Sequence, residues 1–121
     1  MLNIVEDVGT LLSSLGYTDI YKGTMPTSPT VCTMVNATGG IVMGASPVRY
    51  PSFQILHRNT NVQSGTSIAL SIQAALHKKV NLLPNFDGRI LSQSEAGAFF
   101  RDESQNPVWP LNFVLTSTKQ G

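Results

Sequence analysis

Charged side chains are scarce in this sequence, since Asp, Glu, Lys and Arg make up 12% of its 121 residues. Typical soluble domains contain about 25%. Ser, Thr, Asn and Gln replace the missing charges, and a surface of such small polar groups costs less to desolvate than a charged one. This composition leaves two interpretations open: a subunit that buries much of its surface against neighbours, and a monomer with a weakly charged surface.

Basic clusters, paired cysteines and long apolar runs are also missing. Only Lys78 and Lys79 are adjacent among the eight basic residues, so direct sequence-specific binding of nucleic acid is not indicated. The single cysteine, Cys32, can form no intrachain disulfide, and we interpret it as a small core residue. No apolar run approaches the about 20 residues that span a bilayer, and the first residues lack the order of a signal peptide. We therefore expect a soluble protein without membrane contact that is assembled in the cytoplasm.

Two segments show the period of an amphipathic helix. In 3–16, apolar residues recur at helical spacing from Ile4 onward, and Gly16 is placed to end the helix in the left-handed conformation. In 65–79, apolar residues again repeat at helical spacing, and Ser64 precedes them as a candidate N-cap. The sequence therefore predicts helices at 3–16 and 65–79.

Alternating and β-branched segments predict the strands. The most regular alternation begins at Trp109, and Pro110 near its start indicates an edge position or a bulge. The order of helix, strands, helix and strands predicts an α+β fold, with two main helices packed on a mixed, mostly antiparallel sheet. We expect a single domain covering residues 1–121. The predicted strands are 19–23, 30–37, 52–58, 89–94 and 109–116.

Catalytic groups do not converge anywhere in the sequence. His57 and His77 lie 20 residues apart, and neither has a cysteine or carboxylate at metal-ligand spacing. There is no Gly-x-Ser-x-Gly elbow, and no P-loop lysine follows Gly39 and Gly40. We predict no catalytic residue, no metal and no cofactor. A small α+β enzyme or binding module remains an alternative, which predicts a concave pocket with clustered titratable groups.

Several short motifs follow one another in a fixed order along the chain. They are Ile20-Tyr21-Lys22-Gly23, Met25-Pro26, Val31 to Ala37 followed by Gly39-Gly40, Phe53-Gln54-Ile55 with Arg58, Arg101-Asp102-Glu103 and Asn112-Phe113. Their order and spacing over most of the chain resemble the bacteriophage minor capsid and tail-terminator protein family. The dipeptide Trp109-Pro110 departs from the regular strand entry of that family.

The resemblance implies a structural virion protein rather than an enzyme. Such a tail terminator assembles as a homohexameric ring at the head-proximal end of the tail, caps the tail tube and stops its polymerisation. Its partners are then further copies of itself, the tail tube protein and the head connector or stopper protein. The alternative within this class is another head–tail joining protein, such as a stopper or a connector-completion protein.

Four charged residues are candidates for a subunit boundary in such a ring: Arg58, Arg101, Asp102 and Glu103. They are among the few charges of the chain, and three of them are consecutive in a predicted turn. An arginine can pair with a carboxylate of the next subunit, where partial burial strengthens the pair. The alternative is a local, exposed salt link of about 0–1 kcal/mol.

Segment 38–52 is predicted to be a long loop, because it contains five Gly and Pro residues. Its apolar residues are too numerous for a permanently solvated loop, so we expect it to be mobile in the free subunit and ordered in the assembled tail. The alternative is a β-hairpin with Gly39-Gly40 as its turn, in which 41–43 pair back on 34–37. The candidate docking residues are Ile41, Val42, Met43, Val48 and Tyr50.

Overall fold

The computed structural model describes residues 4–42, 49–80, 82–83, 88–93 and 97–116. Two helices and six strands occur in these ranges, and the predicted α+β class is confirmed. Both predicted helices are present, and each ends earlier in the chain than predicted. The elements are α1 (Ile4–Ser14), β1 (Ile20–Lys22), β2 (Cys32–Val42), β3 (Arg49–Arg58), α2 (Val62–Leu76), β4 (Arg89–Ser92), β5 (Phe100–Arg101) and β6 (Pro107–Thr116).

All six strands join one sheet, in the order β1-β2-β3-β6-β4, with β5 paired to the start of β6. Only β1 and β2 are parallel, and the other pairs are antiparallel. The sheet is therefore mixed and mostly antiparallel, as predicted. In the long central strands β2, β3 and β6, residues that lie opposite each other in register have their side chains on the same face of the sheet.

Both helices pack on the same face of this sheet. The in-register residues Val35, Ile55 and Leu111 are all fully buried on that face, and one row away the rings of Phe53 and Phe113 stack with centroids 5.3 Å apart. Helix α1 contributes buried residues spaced four apart, as an amphipathic helix requires. The helical part of this core consists of Ile4, Val8 and Leu12 from α1 and Ala69, Ile72 and Leu76 from α2.

The helix ends follow local chemistry. After α1, Gly16 has φ +100° and the Tyr17 N–H donates to the Leu12 carbonyl, which is the predicted left-handed stop. The predicted N-cap of α2 is wrong, because Asn61 Oδ1 accepts from the Ser64 N–H at 2.9 Å and the helix starts at Val62. Ser64 therefore lies inside the first turn of α2.

Helix α2 approaches the sheet closely through Gly65. A Cβ atom at Gly65 would lie 2.2 Å from two ring carbons of Trp109. The indole of Trp109 is fully buried and also contacts Phe99, with ring centroids 5.1 Å apart. The absence of a side chain at Gly65 thus allows α2 to rest on the largest aromatic ring of β6.

The predicted loop at 38–52 is wrong, because strands β2 and β3 extend into it. Beyond an irregularity between Ala37 and Gly40, the pairs Gly40–Pro51, Ile41–Tyr50 and Val42–Arg49 continue the antiparallel ladder. The alternative turn at Gly39-Gly40 is also wrong, since both glycines lie within β2. Glycine inside a strand is typical of a β-bulge, which accommodates the extra residue here.

Pro110 does not lie at an edge of the sheet, although its neighbours explain why it is tolerated. It lies opposite Leu56 of β3, and the Asn59 N–H donates to the Pro107 carbonyl. Hydrogen-bonded pairs alternate in an antiparallel ladder, so the Pro110–Leu56 pair is a non-hydrogen-bonded one. On its other side, β6 pairs with β5 at 107–108 and with β4 at 113–116, so Pro110 falls between two short partners.

Candidate assembly surface

The second face of the sheet carries no helix in the part of the chain that the structure describes, and we call its centre the open face. The open face consists of two cross-strand rows, and none of the side chains is charged. In one row, Gln54 Nε2 donates to Asn112 Oδ1 at 3.0 Å. Except for the buried Met34, these side chains are partly exposed. The rows are Met34, Leu56 and Pro110, and Asn36, Gln54 and Asn112.

Arg58 lies on the same face of the sheet, at the end of β3. Its side chain forms hydrogen bonds with the segment that connects β1 to β2. Its Nε donates to the Thr30 carbonyl at 2.8 Å, and its Nη2 donates to the carbonyls of Pro26, Thr27 and Pro29. Only 8% of the residue is exposed. Most of the donors of this predicted boundary residue are therefore used inside its own subunit.

Asp102 organises the turn between β5 and β6. Its Oδ1 accepts from the backbone N–H groups of Ser104 and Asn106, both at 2.9 Å. Its Oδ2 lies 3.9 Å from Arg58 Nη1, which is an ion pair but is longer than a hydrogen bond. Asp102 therefore pairs with the largely buried Arg58 from a distant strand, and not with the neighbouring Arg101 of the exposed local link that the sequence left open.

Arg101 and Glu103 precede and follow Asp102 in the sequence, and their side chains differ in their contacts. Arg101 Nη1 donates to the Gln105 carbonyl at 2.9 Å, and its guanidinium carbon lies 5.6 Å from the Phe99 ring centroid. Glu103 is exposed and forms no hydrogen bond or ion pair with any residue in the described ranges. Arg58 and Asp102 form an ion pair that does not include Arg101 or Glu103, and the role of all four residues at a boundary stays a prediction.

A concave depression of about 550 Å³ lies between segment 25–27 and the β5–β6 turn. Leu56, Val108 and Phe100 supply apolar surface, and Phe100 is 50% exposed. Arg58 also lines the depression, and its Nη1 has no hydrogen bond to the described residues. The depression therefore combines an exposed aromatic ring with charged groups of both signs, including Asp102 and Glu103 at its margin.

The two histidines of the sequence do not converge on a site. His57 is 2% exposed, with Nδ1 2.9 Å from Thr33 Oγ1 and Nε2 3.1 Å from Asn59 Nδ2. Asn59 Oδ1 accepts from the Asn61 N–H, so its Nδ2 faces His57 and the ring must accept at Nε2 and donate from Nδ1. Burial lowers the pKa of His57 to about 4. This neutral ring thus connects β3 to the N-terminus of α2.

Cys32 is buried, as the sequence predicted. Burial raises the pKa of its thiol, and the nearby Arg58 opposes this shift without cancelling it. Within the described ranges, no three His, Cys, Asp or Glu side chains are grouped so that they could hold a metal ion. The helices in the same ranges include none long and apolar enough to cross a membrane.

The distal part of the β2–β3 hairpin forms no ladder with β1 or β6 within the described residues, and we call its paired segments 40–42 and 49–51 the hairpin arm. The ladder with β1 stops at Val35, and the ladder with β6 stops at Ser52. Three of the candidate docking residues, Ile41, Val42 and Tyr50, lie in this arm rather than in a loop. Met43 and Val48 lie outside the described residues.

Sequence reasoning missed the apolar part of the depression. Phe100 pairs with Val108, so the two side chains share the face on which Leu56 also lies. The adjacent residues Phe99 and Phe100 could have indicated this surface. Neighbouring residues of a strand point to opposite faces of the sheet, so two consecutive phenylalanines cannot both point into the same core. The pairing of β5 with β6 could not be derived from the local pattern.

The described residues thus present three distinct surfaces, which are the uncharged open face, the hairpin arm and the depression at the other end of the sheet. The chain matches the family model described as bacteriophage tail terminator protein over residues 9–119. It therefore belongs to the bacteriophage tail terminator family, which is a structural family of the virion tail. No curated protein sequence is significantly similar to the chain.

Proposed function

We propose that this protein, as a single domain, forms the ring that ends a phage tail. In this proposal a homohexamer sits at the head-proximal end of the tail tube, stops further polymerisation and joins the tube to the head connector or stopper protein. Subunits assemble in the host cytoplasm and act without catalysis or cofactor. The observation that carries the proposal is the family match over residues 9–119.

The distribution of surfaces supports assembly into a closed ring. A ring built by rotation needs two different, complementary patches on each subunit. The hairpin arm and the depression are two such patches, since they lie at opposite ends of β3. The open face between them carries no charge, so its burial against a protein partner avoids the cost of desolvating ions.

The candidate residues retain their proposed roles in the assembled tail. We assign docking to the arm residues Ile41, Val42 and Tyr50, together with Met43 and Val48, which lie outside the described residues. The charged candidates Arg58, Asp102 and Glu103 line the depression, and together with Arg101 they are proposed to lie near a subunit boundary. Arg58 contributes there mainly by fixing segment 26–30, because most of its hydrogen bonds are internal.

Polymerisation of purified tail tube protein tests the capping role. Growing tubes are mixed with the wild-type protein, and tube length is followed by negative-stain electron microscopy. A terminator arrests elongation at one end, whereas an unrelated protein of similar size leaves the length distribution unchanged. Unchanged elongation together with binding to purified connector would instead identify a stopper or connector-completion protein.

A further inference from the structure

We propose that the hairpin arm of one copy docks in the depression of the next copy, where Arg49 pairs with Glu103. This inference rests on the proposed ring and names the two surfaces that build it. It combines the two groups of candidate residues, which are far apart in one chain, into a single interface between chains.

The depression has the chemistry of a receptor for an apolar segment that carries one positive charge. Phe100 is half exposed beside the buried Val108 and the partly exposed Leu56. Glu103 at its margin is exposed and has no ionic partner in the described part of the chain. An aromatic surface next to an uncompensated carboxylate favours an arginine or lysine flanked by apolar residues.

The hairpin arm matches this description. Arg49 is the only charged residue of segment 38–52, and its neighbours in the sequence are Val48 and Tyr50. The backbone of Arg49 pairs with Val42. A two-stranded ribbon is at best marginally stable by itself in water. Within the described residues the arm forms no ladder with β1 or β6, so it would gain stability from pairing or packing with a partner.

The geometry excludes closure of the arm on the depression of its own subunit. Arg49 and Arg58 are the first and last residues of β3, which places them about 30 Å apart at about 3.3 Å per residue. An arm at one end and a receptor at the other form a head-to-tail contact. Such a contact repeats from subunit to subunit and closes into a ring when its rotation allows.

Arg58 gives the depression a second feature that suits an incoming strand. The side chain is more than nine-tenths buried, yet its Nη1 has only Asp102 Oδ2 nearby, at 3.9 Å. The two N–H groups of Nη1 are therefore available to a backbone carbonyl of the arm.

Charge reversal tests the proposed pair directly. The variants Arg49→Glu and Glu103→Arg each place like charges together, and the double variant restores an opposite pair in reversed order. Native mass spectrometry and light scattering are used to measure the dissociation constant of the oligomer. We expect each single variant to weaken assembly by about tenfold or more, and the double variant to recover most of the loss. Lys79→Glu, at an exposed residue after α2, is the matched control and should assemble like the wild type.

Several outcomes overturn the interface. The Arg49–Glu103 pair is contradicted if the single variants assemble like the wild type. It is also contradicted if the double variant folds but its oligomer dissociates as readily as those of the single variants. Circular dichroism checks folding, and the milder Arg49→Gln and Glu103→Gln variants replace any reversal that fails to fold. A wild-type chain that stays monomeric at its highest soluble concentration also overturns it.

The tube assay separates this inference from the proposed function. If the wild type arrests tubes and both single variants do so equally, the interface is wrong and the terminator role stands. If the wild type assembles through this pair but never arrests tubes, the interface stands and the terminator role is wrong.

Discussion

Replacement of Gly65 by alanine tests how α2 is seated on the sheet. In an exposed helix interior this change stabilises a protein by about 1 kcal/mol, because alanine is the better helix former. Here the new Cβ would lie 2.2 Å from two carbons of the Trp109 ring. No real Cβ contact is that short, so either the helix or the indole must move.

The surroundings of Trp109 determine the size of the effect. The ring is fully buried and lies between Phe99, at 5.1 Å, and His57, at 6.1 Å between ring centroids. Overpacking of a dense core costs about 1–3 kcal/mol, and more when backbone has to shift. We expect a net loss of about 2 kcal/mol, which corresponds to a decrease of about 6–10 °C in Tm for a chain of this length.

Thermal and urea unfolding followed by circular dichroism measure this loss, at one protein concentration because assembly shifts Tm. Ser67→Ala is the matched control, since Ser67 is exposed on the same helix, and its free energy of unfolding should change by less than about 0.5 kcal/mol. If the Tm of Gly65→Ala is equal to or higher than that of Ser67→Ala, the described packing of α2 against Trp109 is wrong.

Three further predictions concern polar groups. Neutral His57 has a lowered pKa of about 4, so its contribution of about 3 kcal/mol is present above pH 6.5 and is lost as the pH falls toward 4. In urea titrations the His57→Gln variant should show a flatter pH dependence of the free energy of unfolding, and an unchanged dependence would contradict this assignment. Arg58→Met leaves several carbonyls without a donor and should lower the free energy of unfolding in urea by about 2–4 kcal/mol. Arg101→Met is the exposed control, and a similar loss in that variant would argue against a special role of Arg58. Asp102→Ala removes two hydrogen bonds of the β5–β6 turn and should lower the free energy of unfolding, measured by thermal unfolding, by about 1–2 kcal/mol. Asp102→Asn keeps an acceptor and should lower it less, and equal losses in the two variants would refute the role of Asp102 in the turn.

Local periodicity predicted the elements whose core contacts repeat along the chain. The apolar spacing in α1 and the alternation in β6 are each produced by one buried face, so they are visible in the sequence. The strands in 38–52 were not predicted, because Gly39, Gly40 and Pro51 disfavour a strand locally. Pairing between β2 and β3, with a bulge for the glycines, outweighs that local preference.

The candidate surface was predictable only in part. The scarcity of charge singled out Arg58 and Asp102, and the structure places the two together. The hydrogen bonds of Arg58 to segment 26–30 were invisible in the sequence, because they depend on where a distant connection lies. The exposure of Phe100 likewise depends on the pairing of β5 with β6, which no local pattern determines.

The central claim, that this chain ends a phage tail tube, is tested most directly by imaging the ends of tubes. Purified tail tubes are incubated with the wild-type protein, and averaged electron micrographs of the two ends are compared with those of untreated tubes. The account predicts a ring of added density at one end only, the end from which the tube no longer elongates. Density at neither end, or spread along the tube wall, would contradict it.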